Sequence, residues 1–142
     1  MWSRAGYRGV VRASGWYDLL VSAVFVTPWS LMLLHQLLGE LSRQWGLGGE
    51  LPDFAPLHVL MANLMGSIVC VWSVLRIRDP QSQFGRYDAV GRLLFASWQA
   101  YALNQGATQL LWGTLILELV WALLQLWPVR AEENLTAQKI TS

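Results

Sequence analysis

The stretch LHVLMANLMGSIVCVWSVL, residues 57–75, decides how this chain is read. It runs 19 residues with one His and no carboxylate, Lys or Arg. A second stretch, LLWGTLILELVWALLQLWPV at 110–129, runs 20 residues with one Glu. A helix that crosses a membrane needs about 20 mostly apolar residues. Working outward, 16–38 and 87–104 are also apolar, the latter interrupted by Arg92 and Gln99. Between the last two stretches lies a short polar segment around Gly106, which suits a tight hairpin turn. The expected fold is all-α: a polytopic membrane protein with an antiparallel four-helix transmembrane bundle. Its spans are 16–38, 57–75, 87–104 and 110–129, within one domain covering 1–130. The remainder, 131–142, is a polar tail expected to be disordered.

Composition agrees with this reading. Charged residues are 13% of the chain, about half the share of an ordinary soluble domain. The soluble alternative is a helical bundle with unusually apolar helices. Arg4, Arg8 and Arg12 ahead of an apolar run resemble a secretory leader. No small-residue cleavage site follows Leu38, so the run is read as a retained first span.

Arginine sets the orientation. Nine of the ten basic residues fall on one face if all four stretches cross. They are Arg4, Arg8, Arg12, Arg76, Arg78, Arg86, Arg92, Arg130 and Lys139; Arg43 stands alone on the other. The positive-inside bias then puts both termini in the cytoplasm. The segment 39–56 becomes the sizeable outer loop, acidic through Glu40, Glu50 and Asp53, and able to lie in the outer interface as a cap. Trp16, Trp112 and Trp127 sit at helix ends, as interfacial belts require. Asn134-Leu135-Thr136 matches a glycosylation acceptor, but on the cytoplasmic side it goes unused.

A faint repeat runs through the chain. Tyr17-Asp18 with Phe25 and Thr27 matches Tyr87-Asp88 with Phe95 and Ser97 at one offset. Val71-Trp72 recurs as Val120-Trp121 in the second helix of the other hairpin. Two hairpins of the same orientation make a parallel repeat.

The polar residues inside the spans are the candidate sites, because lipid makes an unpaired charge costly. Glu118 is the clearest, with Thr114 and Gln125 on its helix face. Helical rise places Gln99, Asn63 and the carbonyl freed by Pro28 at a similar depth. His35 and His58 lie above them. The expectation is a ligand-binding polar layer in the outer half: Glu118, Gln99 and Asn63 as floor, His35 and His58 as mouth. The plainer reading is that amides and a protonated Glu act as hydrogen-bonding glue between helices. At the inner edge, Asp88 and Arg92 stand four apart and pair along one helix. Asp18 joins them or meets Arg12, and the set reads as structural ion pairs. Asn63, Gly66, Cys70 and Ser73 form a small-residue seam, with Gly66, Cys70 and Ser73 as the packing face.

Several chemistries are excluded. No basic run supports nucleic-acid binding. Cys70 is the single cysteine, so no intrachain disulfide and no cysteine-based zinc spacing exist. The histidines and Glu118 have no metal-ligand spacing, so no metal is expected. No cofactor signature, nucleophile elbow, phosphate loop or HExxH is present.

In size, span count and inside termini the chain resembles the DoxX-like small four-helix membrane proteins, over 16–129. The resemblance implies a membrane-embedded bundle. The leading functional expectation is an accessory protein of the inner membrane. It would bind an apolar or amphipathic ligand, or a partner protein, through the outer polar layer. One alternative is a membrane enzyme or redox partner acting on a quinone or lipid, with Glu118 in proton transfer. Another is a proton-coupled carrier working as an oligomer. Expected partners are membrane lipids, a second copy, or a membrane protein.

Overall fold

The computed structural model describes residues 1–49 and 51–129, so Glu50, the tail at 131–142, its glycosylation pattern and the basic residues Arg130 and Lys139 lie outside the described residues. Five α-helices account for most of the described chain: α1 Arg4–Ser22, α2 Pro28–Gln44, α3 Pro56–Arg78, α4 Ser82–Asn104 and α5 Leu111–Leu126. The all-α expectation therefore holds, while the layout of the first span differs.

Helix α1 starts twelve residues earlier than the expected 16–38 span and ends within it. Ser3 caps it, its hydroxyl accepting from the Gly6 amide at 3.0 Å. A 3-10 turn, Ala23–Phe25, follows, and the chain then bends by 96° into α2. Two adjacent residues cause the break. Thr27 is an N-cap, accepting from the Ser30 amide at 3.2 Å, and Pro28 occupies the first turn of the new helix. Proline there loses nothing, because its missing N–H would have no helical partner. So Pro28 begins a helix; it does not kink a continuing one. At the break the carbonyl of Phe25 accepts from Asn63 Nδ2 at 2.7 Å.

Helices α3, α4 and α5 lie close to their expected positions. Helix α3 stops at Asp79-Pro80, where proline cannot continue it. The α4–α5 turn uses Gly106 at φ 91°, a left-handed conformation suited to glycine. Helix α1 packs antiparallel on α3, and α4 on α5. The α1–α3 approach is close: a Cβ on Gly66 would lie 2.5 Å from Phe25 Cβ, and one on Gly15 3.1 Å from the Ser73 carbonyl. Gly66 and Ser73 are buried and Cys70 is half-buried. The segment after α2 meets the α4–α5 turn, where the Gln109 amide donates to the Gly48 carbonyl at 3.0 Å.

The two ends of the described chain meet. The Trp2 amide donates to the Pro128 carbonyl at 2.7 Å, and Tyr7 Oη to the Gln125 carbonyl at 2.6 Å. The interior mixes apolar side chains, among them Tyr7, Val11, Leu31 and Leu115, with Ser14, Ser73, Arg76, Asp88, Arg92 and Gln125, while large apolar side chains such as Trp29, Leu33, Ile68, Val71, Trp98 and Leu123 are exposed. By length and hydropathy, α3 alone qualifies to cross a membrane, and only 11% of its most apolar stretch is buried. Helices α1 and α2 meet the same test together but are bent by 96°, and α5 is apolar but 16 residues long.

Candidate functional site

Four helices deliver ionisable side chains to one place. Asp18 comes from the last turn of α1, Arg76 from the last turn of α3, Asp88 and Arg92 from the first half of α4, and Glu118 from the middle of α5. Arg76 spans both aspartates: Nη2 donates to Asp18 Oδ2 and Nη1 to Asp88 Oδ2, each at 2.5 Å. Arg92 spans the same pair, Nη2 to Asp18 Oδ2 at 2.7 Å and Nε to Asp88 Oδ2 at 3.0 Å. Two cations and two anions thus alternate around a closed, neutral box. Arg92 has one nitrogen left, and its Nη1 donates to Glu118 Oε2 at 2.9 Å.

Neutral groups complete the box. Trp72 Nε1 donates to Asp88 Oδ1 at 2.9 Å. Gln125 Nε2 donates to Asp88 Oδ2 at 2.7 Å and to Ser14 Oγ at 2.8 Å. Ser14 Oγ also accepts from Arg76 Nη1 at 2.9 Å. Arg76 lies 5.6 Å from the centre of the Trp72 ring, and Arg92 lies 5.8 Å from Tyr17 and 5.7 Å from Trp121. A guanidinium against a ring face is attracted by its quadrupole, the more so away from water. Among the described residues, two buried side-chain atoms have no hydrogen-bond partner, Arg76 Nε and Gln125 Oε1.

The box explains the faint repeat. Gly15-Trp16-Tyr17-Asp18 and Gly85-Arg86-Tyr87-Asp88 share glycine, tyrosine and aspartate at the same offset. Both aspartates face the box, and both glycines allow close approach. A Cβ on Gly85 would lie 2.7 Å from Tyr7 Oη and from Val11. The tryptophans Trp72 and Trp121 flank the two arginines. The halves are not equivalent in detail: Trp72 bonds an aspartate, whereas Trp121 stacks with Tyr17 at 5.6 Å between centroids.

Asp18, Asp88 and Arg92 are thus joined as ion pairs, and Arg12 is not part of the set; its Nε donates to the Ile77 carbonyl at 3.3 Å. The outer polar layer is not a single cluster. Glu118 turns to Arg92, because a carboxylate in an apolar setting gains more from a cation than from an amide. Gln99 Oε1 instead accepts from Thr114 Oγ1 at 2.9 Å, one helical turn from Glu118. Asn63 is held by Phe25. His35 Nε2 meets the Pro52 carbonyl at 2.9 Å, with its ring 4.8 Å from Phe54. His58 Nδ1 accepts from the Ala55 amide at 3.2 Å, closing the start of α3. Three of the five expected ligand-binding side chains are therefore engaged with the main chain. Among the described residues, no group of three or more His, Cys, Asp or Glu is placed to share a metal ion.

Arg76 is the member that sequence reasoning missed. The sequence places it only among the basic residues of one face, yet it is 0% exposed. The signal was present: the seam Gly66, Cys70, Ser73 steps by three more residues onto Arg76.

Two cavities flank this arrangement without opening onto the box. One, of about 520 Å³, lies beside the α4–α5 turn, lined by Ala100, Leu103, Trp112 and Leu115 among others. The other, about 350 Å³, lies at the chain ends beside Trp2 and Trp127. No protein family, curated protein or solved structure matches the chain.

Proposed function

We propose that this is a small integral protein of the bacterial inner membrane, crossing it four times through α1, α3, α4 and α5, with both termini cytoplasmic. Helix α2 then lies along the outer interface. The meeting of the chain ends supports an even number of crossings. The apolar exterior around a charged interior supports lipid as the solvent. At 1.5 Å per residue, α3 extends over about 34 Å, enough for a hydrocarbon core of about 30 Å. Four crossings with inside termini keep the resemblance to the DoxX-like group as part of this proposal.

Its role is accessory: it engages an amphipathic ligand or a membrane partner at the Glu118 edge of the ionic cluster. One observation carries this reading. The Asp18–Arg76–Asp88–Arg92 box is neutral and closed, so Glu118 is a surplus carboxylate. Its Oε2 has one bond, to Arg92, and its side chain is 14% exposed. A box that needs only itself is a lock between helices. An extra anion beside it is available to something else.

Native mass spectrometry of the protein, extracted gently from its own membrane, tests this. A reproducible small-molecule or protein adduct that vanishes in Glu118→Ala is the expected result. An adduct that persists unchanged in that variant, or a bare chain, would remove Glu118 from the binding site.

The same surplus favours a second reading, in which Glu118 takes up and returns one proton. It would do so in a membrane enzyme acting on a quinone or lipid, or in an oligomeric proton-coupled carrier. Glu118→Gln separates the two. It keeps the bond to Arg92 and removes the titrating group, so proton chemistry is abolished while the fold persists.

A further inference from the structure

A second charged surface lies away from the box, at the inner ends of α1 and α3. Arg8 and Arg12 stand one turn apart on α1, both exposed. The bond from Arg12 Nε to the Ile77 carbonyl sets it beside the exposed Arg78. Among the described residues, no carboxylate forms an ion pair with any of the three. Asp79, next in the chain, accepts instead from the Gln81 amide. Like charges four apart on a helix repel each other, so this arrangement calls for an anion. Beside them the helix surface is open, with nothing within 4 Å of where a Gly9 side chain would begin. Beyond Arg12 the same line of α1 continues as Trp16 and Leu20, 51% and 71% exposed.

We infer that this line is a docking surface for an anionic phospholipid. Its phosphate is held by Arg8, Arg12 and Arg78, and its acyl chains run along Trp16 and Leu20. The order along the helix, cations and then apolar side chains, is the order of groups along such a lipid. Arginine matches phosphate oxygens with paired N–H donors. The inference rests on the membrane reading above and is independent of Glu118.

The test reconstitutes the whole chain in vesicles of phosphatidylcholine, alone or mixed with phosphatidylglycerol, and reads flotation and then thermal melting. Wild type floats with both, and melts higher with phosphatidylglycerol. R8Q/R12Q loses that shift, with association weakened about fivefold per arginine removed, whereas R43Q, at the other end of the molecule, keeps it. Should the double variant not insert, R78Q alone gives a partial loss. Flotation without a phosphatidylglycerol shift, or a shift that R8Q/R12Q retains, overturns the lipid site. The same shift from inorganic phosphate added to phosphatidylcholine vesicles makes it an ion site and overturns it too. Failure to float with either vesicle overturns the membrane reading along with it.

Discussion

The ionic box and the outer polar residues lie in the same bundle but solve different problems. In the box, each charge takes partners from other helices: Arg76 of α3 reaches α1 and α4, and Arg92 of α4 reaches α1 and α5. In the outer part, Asn63 serves the Phe25 carbonyl, His58 its own helix start, and His35 a neighbouring loop carbonyl. The difference follows from what each group requires. A neutral amide or imidazole is satisfied by one backbone group. A buried charge needs an opposite charge and several hydrogen bonds at once. The charges therefore converge across helices, while Asn63, His35 and His58 settle on nearby backbone groups and Gln99 on Thr114 of the neighbouring helix.

The largest expected effect lies in the box. Arg76→Met removes the cation between Asp18 and Asp88 and leaves two carboxylates sharing Arg92. Breaking a buried pair by deleting one partner costs about 3–5 kcal/mol. Unfolding of the purified protein in mixed micelles should show a loss of that order. The cost should shrink in an Asp88→Asn background, where one stranded anion is already gone. Additive losses in that cycle would mean that the pair is not coupled, and the lock interpretation would fail.

The two regions also differ in how far they could be read from residues alone. Asp88 and Arg92 announce themselves by their four-residue spacing, but the pattern leaves Asp18 open between joining them and meeting Arg12. Glu118 stood out as a charge in an apolar run, but its partner depends on the register between α4 and α5, which no local pattern specifies. Arg76 was hidden by its neighbours: beside Arg78 and next to Asp79-Pro80 it looks like one more interfacial arginine. The bend was hidden for a related reason. Thr27-Pro28 is an N-cap followed by a favoured first-turn residue, which marks a helix start. Within a long apolar run, hydropathy does not register that mark. With α1 ending at Ser22 and the chain turning at Phe25, the second half of the expected first span is α2, and His35 lies on a helix set at 96° to α1.

A middle-sized effect comes from the seam that holds the two regions in register. Gly66→Leu should lower folded yield and melting temperature, because even its Cβ would lie 2.5 Å from Phe25 Cβ and 2.8 Å from the Phe25 carbonyl carbon. Overpacking of this kind costs about 1–3 kcal/mol, and here the obstacle includes backbone. Leu64→Ala, at an exposed position on the same helix, should change little. Equal yields and melting temperatures for the two would mean that α3 does not pack on α1 through Gly66.

The smallest effects belong to the outer residues, and their pattern matters more than their size. Asn63→Ala strands the Phe25 carbonyl at the bend. Hydrogen bonds between membrane helices average about 0.6 kcal/mol, so a shift of that order is expected. His35→Ala removes a bond at the edge of a loop, where water replaces it, and should lie within about 0.5 kcal/mol of wild type. If these residues are independent, as their separate partners indicate, the double variant should equal the sum of the singles. A loss in the double variant clearly beyond that sum would restore coupling between the outer residues. It would point to a shared site formed in a state other than the one described here.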